Sequence, residues 1–275
     1  MKAAVFREVG KPLEIEEISV SKPGPREVLV RTVAAGVCHS DLHFVEGLYP
    51  AQFPVVLGHE SAGIVEEVGE DVSYVKPGDH VITCLSVFCG HCEECVTGHL
   101  SLCASPETRR APEDEPRLAK DSQPINQFAN LSSFAEKMLI HEHGLVKIRE
   151  DMPLDRAALI GCGVTTGVGA VFHTAAVEPG SSVAVVGCGG VGLSCINGAA
   201  LAGAGQVIAV DMVDSKLQMA KDFGATHVVN GSEGNVVEQV RELTGGGVHY
   251  AFEAIGLKAT AEQCFSMIRP GGTAT

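Results

Sequence analysis

Residues 182–211 read SVAVVGCGGVGLSCINGAALAGAGQVIAVD, and this stretch decides the fold. An apolar run over Ser182–Gly187 meets Gly187-Cys188-Gly189-Gly190-Val191-Gly192. A helical pattern follows over Val191–Gly203, then a second apolar run at Val207–Val210. Strand, glycine turn, helix and strand form the context that G-x-G-x-x-G needs to bind a dinucleotide. Gly187 permits the tight turn, Gly189 lets the backbone approach a pyrophosphate, and Gly192 lets the helix pack close to the strand. The helix start at Gly190 and Val191 offers free N–H groups and a positive dipole end to phosphates. Asp211 ends the second run about 20 residues further on. An acid there accepts hydrogen bonds from the adenosine ribose and repels a 2′-phosphate, so NAD is expected over NADP. The alternative use of Asp211 is to cap a helix starting near Asp214.

Working outward, the alternation continues: Asp214–Phe223, His227–Asn230, Asn235–Leu243, Val248–Ala254 and Ala259–Ile268. That rhythm predicts a doubly wound parallel sheet over residues 151–275, an α/β dinucleotide-binding (Rossmann) domain. The chain ends in RPGGTAT, a turn and the opening of a further strand, so the sheet is expected to be incomplete at the C-terminus. Residues 1–150 read instead as short β pieces, such as Ala3–Phe6, Val28–Ala34, Ala62–Val68 and Val81–Leu85, with proline-glycine turns between them. Residues 104–127, polar and proline-rich, are expected to be an exposed loop outside the core.

The formal net charge of -14 argues against nucleic acid and anionic membranes as partners. No apolar run approaches the roughly 18 residues of a membrane span, and the first residues lack an apolar signal core, so the expected compartment is the cytoplasm. In that compartment the ten cysteines are expected to be thiols rather than disulfides. Four of them, Cys89, Cys92, Cys95 and Cys103, fall within one short stretch and fit a closed tetrahedral zinc site. His91 and His99 lie among them and are expected to be solvated. Cys38 in GVCHSDLH, His59 in GHESAG and Cys162 in IGCGVTTG are too scattered for spacing to join them. Each suits a packed core position as well as a three-ligand zinc site with an open fourth position.

Taken together, Gly58-His59-Glu60-Ser61-Ala62-Gly63 with Gly69 and Val72, Cys38, the four-cysteine lobe, Cys162 and the later glycine fingerprint resemble the zinc-containing medium-chain alcohol dehydrogenases. The resemblance covers essentially the whole chain. It implies a GroES-like, mostly-β catalytic domain ahead of the Rossmann domain, and two zinc ions per chain. Cys38, His59 and Cys162 would hold the catalytic ion, and Cys89, Cys92, Cys95 and Cys103 the structural one. Glu60 would lie behind the catalytic ion, and Asp41 would fix the His59 ring. Ser40 matches the hydroxyl that takes the alcohol proton, and His43 the relay group nearer solvent. His39 stands where an arginine often meets the pyrophosphate. Thr166, Lys216 and Ile255 match contacts to the nicotinamide side, the adenosine ribose and the nicotinamide ribose. Cysteine at 162, where polyol-type relatives usually carry glutamate, points to simple alcohols. The long segment before Phe134 resembles the branch that includes glutathione-dependent formaldehyde dehydrogenases. The expected reaction is reversible oxidation of a primary or secondary alcohol, or of a thiol–aldehyde adduct, with hydride transfer to NAD. The expected assembly of the full-length protein is a homo-oligomer. The competing reading is a zinc-stabilised scaffold that has kept the fold and lost catalysis. A zinc-free reductase of the same superfamily would lack the Cys38, His59 and Cys162 set.

Overall fold

The computed structural model describes residues 1–111 and 113–275 and divides them into two compact units, Met1–Cys162 and Gly163–Thr275. In chain order the first unit carries strands β1 (Lys2–Phe6), β2 (Glu14–Glu17), β3 (Ser19–Val20) and β4 (Glu27–Gly36), then helix α1 (His39–Val45). Strands β5 (Val55–Val56), β6 (Glu60–Val68) and β7 (His80–Thr83) follow, then the short helix α2 (Glu93–Val96). Strands β8 (Leu118–Lys120), β9 (Gln123–Gln127), β10 (Lys137–His141) and β11 (Leu145–Lys147) and helix α3 (Leu154–Ala157) complete it. One sheet runs β2-β1-β5-β9-β8-β3 and the other β10-β4-β6-β7-β11. Alternation along β4 and β10 puts Val28, Val30, Met138 and Ile140 on one face, where they close a core with Val65, Val75, Val81 and Leu131.

The segment 104–127 departs from expectation. Leu118 and Ile125 are buried in a core with Val5, Ile18 and Val56, and β8 and β9 pair with each other and with the first sheet. Two apolar residues in a charged, proline-bearing stretch are too few for a periodic signal, yet they suffice to anchor a hairpin between β5 and β3.

The contact division falls after Cys162, beyond the change of sequence character at Asp151. Ala157 and Ala158 are buried against Ala62 and Ile82, so α3 and the 3-10 turn Ala158–Gly161 belong to the β unit. At Gly161 a Cβ would collide with the Thr83 carbonyl, and glycine is what lets this turn lie on β7.

The second unit opens with helix α4 (Gly163–Gly169) and alternates β12 (Ser182–Val186), α5 (Gly190–Leu201), β13 (Gln206–Asp211), α6 (Asp214–Asp222), β14 (His227–Asn230), α7 (Val236–Leu243), β15 (Val248–Glu253), α8 (Lys258–Met267) and β16 (Ile268–Ala274). The expected elements appear nearly residue for residue up to α8, but β16 starts at Ile268 and runs through the turn expected at Gly271-Gly272, ahead of the strand expected from Thr273. All pairings are parallel, in the order β14-β13-β12-β15-β16. Central strand β12 is buried throughout, as a sheet covered on both faces requires. Strand order reverses beside β12, so the crevice at the carboxyl ends of β12 and β15 is the topological switch point.

Candidate metal and nucleotide sites

The four-cysteine lobe leaves the sheet after β7 and folds around α2. Sulfur separations are 3.4 Å for Cys92–Cys95, 3.8 Å for Cys89–Cys95 and 3.9 Å for Cys92–Cys103. Four sulfurs at about 2.3 Å from a tetrahedral zinc would stand roughly 3.8 Å apart, so the donor set fits zinc. All ten cysteines are free thiols, which removes the disulfide alternative. The backbone N–H groups of Cys92 and Cys89 donate to the sulfurs of Cys89 and Cys103, each at 3.3 Å. The His91 backbone N–H, helped by that of Cys92, draws the Cys89 thiol down to about 6, toward the thiolate a metal needs. His91 and His99 lie exposed on the lobe, facing Glu107 at 3.0 Å and Thr97 at 3.1 Å.

The scattered residues also converge. Ligand atoms of Cys38, His59, Glu60 and Cys162 all lie within 4.8 Å of one another. Buried Asp41 organises them from the first turn of α1: one carboxylate oxygen accepts from the Cys38 backbone N–H at 3.1 Å. The other accepts from the Gly58 N–H and from His59 Nδ1, each at 3.2 Å. With Nδ1 engaged, Nε2 is the nitrogen left for a metal. Gly58 has φ +92°, and a Cβ there would strike Ser133 and Phe134, which explains the glycine before His59. Gly36 leaves room for the buried Glu60 carboxylate. The Asp41 carboxylate and the Cys162 sulfur push the His59 imidazole up to about 11. The cluster thus stabilises positive charge beside Cys162, the place a zinc ion would fill.

Ser40 is half-buried two residues after Cys38, and the His43 ring packs edge-on against His39 at 4.8 Å and Tyr49 at 5.3 Å. Phe53, beside Tyr49 in sequence terms, instead packs on Phe6. Sequence reasoning missed Phe128, which lies 5.7 Å from the His59 ring and 4.8 Å from Phe44. No local pattern marks it; its position follows from the β9 hairpin.

In the second unit Gly187 has φ +97°, and a Cβ on Gly192 would collide with the Gly187 carbonyl. Around Gly189 and Gly190 a Cβ would meet nothing within 4 Å, so the backbone opening α5 presents a bare face. Asp211 is not the α6 cap, a position Val213 holds. Its carboxylate accepts from the Cys188 N–H at 2.8 Å and the Val213 N–H at 3.0 Å, with Lys216 Nζ at 3.9 Å. That anchorage places an anionic acceptor next to the glycine turn. Ile255 reaches the same turn, its Cγ1 lying 2.6 Å from where a Gly187 Cβ would stand. Its loop is pinned by Glu253, which accepts from the Ile255 and Gly256 N–H groups at 2.9 Å. Thr166 lies exposed on α4.

Residues 24–150 match the family described as alcohol dehydrogenase GroES-like domain, and residues 190–275 match the zinc-binding dehydrogenase family. An S-(hydroxymethyl)glutathione dehydrogenase of Synechocystis is 44% identical over 262 residues, 93% of this chain and 71% of the relative. The chain belongs to the zinc-dependent alcohol dehydrogenases. Among solved structures, an alcohol dehydrogenase zinc-binding domain protein from Burkholderia ambifaria superposes with TM-score 0.91 at 42% identity, covering 99% of this chain and 75% of that one. Benzyl alcohol dehydrogenase from Acinetobacter calcoaceticus gives TM-score 0.90 at 36% identity, with the same coverage.

This alcohol dehydrogenase is therefore a zinc-dependent oxidoreductase acting on small-molecule alcohols with a nicotinamide cofactor. Its two units carry the corresponding donor sets: sulfur and imidazole in the first, a bare helix start and an anchored carboxylate in the second. No single helix among the described residues is long and apolar enough to cross a membrane.

Proposed function

We propose that Cys38, His59 and Cys162 hold the catalytic zinc of an NAD-linked dehydrogenase of apolar primary alcohols, with Glu60 behind the ion, and that Cys89, Cys92, Cys95 and Cys103 hold a structural zinc. The observation that carries this reading is the Asp41 carboxylate, which joins the Cys38 backbone, the Gly58 backbone and the His59 ring in one buried arrangement. When bound, the zinc polarises the alcohol hydroxyl as a Lewis acid and NAD accepts the hydride, giving an aldehyde and NADH. Asp41 keeps the His59 Nε2 turned toward the ligand cluster. The Ser40 hydroxyl accepts the substrate's hydroxyl proton while passing its own outward. The His43 ring, steadied by His39 and Tyr49, delivers that proton toward solvent. Asp211 takes the adenosine ribose hydroxyls with Lys216 beside it, and Gly187, Gly189, Gly190, Val191 and Gly192 take the pyrophosphate. Thr166 and the Ile255 backbone contact the nicotinamide side. An imidazole at His39 in place of a guanidinium weakens the hold on the pyrophosphate and speeds cofactor release.

The rings of Phe44 and Phe128, packed edge to face with Phe128 against His59, support an apolar or aromatic alcohol. We place the protein in the cytoplasm, as a homo-oligomer when full length. Elemental analysis of the metal-washed protein tests the assignment. Two zinc ions per chain are expected, falling to one in H59A; an unchanged stoichiometry in H59A would overturn it. Activity with benzyl alcohol against formaldehyde plus glutathione then tests the substrate class.

A further inference from the structure

The first unit also contains a cavity of about 550 Å³, lined by none of the clustered cysteines though it adjoins their lobe at Glu107, and within the size range of small-molecule sites. His141 lines it from the end of β10 and is 3% exposed. Its Nδ1 accepts the His143 backbone N–H at 3.1 Å, so Nε2 carries the proton, and among the described residues this buried N–H has no acceptor. A buried donor left unpaired forfeits its hydration without a replacement bond, so it calls for a partner. Burial, reinforced by the Arg26 guanidinium, pushes the His141 imidazole down to about 4, and it stays neutral at ordinary pH. It therefore offers a hydrogen bond without adding charge.

Charge along the cavity wall is divided. Arg26 and Arg117 flank the buried end together with His141; Arg117 is fixed to Glu27 at 2.7 Å and Arg26 to Glu142 at 2.9 Å. Glu27, the one buried carboxylate on the wall, is already spanned by Arg110 and Arg117, so it does not repel an anion. The exposed wall carries four acids, Asp71, Glu107, Asp114 and Glu115, against one base, Arg109, and is therefore acidic on balance. A simple anion satisfies the inner end and is repelled by the outer one. A simple cation meets the reverse.

We propose that this cavity binds a small zwitterion of the amino-acid type, with its carboxylate on His141 Nε2 and the Arg26 and Arg117 guanidinium groups, and its ammonium toward Asp71 and Glu115. The site is independent of the zinc and NAD assignments, and its test does not read activity. Saturation-transfer NMR on the full chain, with alanine as probe and acetate and methylammonium as half-ligands, reads binding directly. Alanine is expected to bind at one saturable site with Kd on the order of 1 mM. H141F should abolish the signal. The exposed double variant D71N/E115Q, which leaves the buried end intact, should weaken alanine by about threefold and leave acetate unchanged. Absence of alanine binding would mean a hydrated cavity only and overturn the proposal. So would acetate binding as tightly as alanine, or alanine binding that survives both variants.

Discussion

The two sulfur clusters of the first unit reach similar compactness by opposite routes. In the lobe, four cysteines within residues 89–103 meet because the chain turns back on itself around α2. In the other cluster, Cys38 comes from the start of α1, His59 and Glu60 from the entry to β6, and Cys162 from the turn after α3. Nothing local joins them; two sheets and the Asp41 hydrogen bonds do. The lobe is thus a site that makes its own structure, whereas the cluster is a site the structure makes. Metal loss should cost the first its fold and the second its chemistry.

The largest expected effect tests that division. Replacing Cys95 or Cys103 by serine should remove one zinc per chain and lower the thermal midpoint by about 10 °C or more, because a closed zinc site contributes folding free energy outright. C162S should remove the other zinc and abolish alcohol oxidation while moving the midpoint far less. Calorimetry and zinc analysis on the same samples check both; equal loss of stability in C162S and C103S would erase the contrast.

The same contrast explains what could be read beforehand. The lobe was visible in spacing, and the elements of the second unit were visible in period, since parallel strands buried on both faces give unbroken apolar runs. The joining of Cys38, His59 and Cys162 was legible only through resemblance, because long-range contacts leave no mark on neighbouring residues. Leu118 and Ile125 escaped for a related reason: two core contacts in a charged segment carry no periodicity. Phe128 and the three bonds of Asp41 depend on how loops are held, and only coordinates show that.

A smaller effect sharpens the difference at a single atom. D41N keeps the size of the side chain but loses the charge that orients His59, and zinc affinity at that cluster should fall by about 10–100-fold. The lobe zinc should be untouched, so competition with a chelator should show one weakened ion and one unchanged. Loss of both in parallel would mean Asp41 supports the whole unit rather than its own cluster. In the second unit, D211G should raise the Michaelis constant for NAD by about tenfold and improve use of NADP, consistent with loss of hydrogen bonds to a charged acceptor. Unchanged cofactor preference would remove Asp211 from the ribose.

The last effect concerns pH and again separates the two clusters. His141 and His143 form the 3-10 turn beneath the lobe, and His143 Nδ1 donates to the Phe88 carbonyl at 2.7 Å, next to Cys89. His141 titrates near 6.5 in the unfolded chain but at about 4 in the fold, where burial holds it neutral. Between those values the unfolded state binds the extra proton, so stability is full above about pH 6.5 and falls as the pH drops toward 4. The loss is bounded by about 3 kcal/mol. H141F removes this component, and the difference between variant and parent should shrink steadily over that window. Because the turn underlies the lobe, amide exchange at Phe88 and Cys89 should accelerate on acidification before that at Cys38 and Gly58. Simultaneous acceleration at all four amides would show that acid opens the unit as a whole, and that the self-made site has no separate stability to lose.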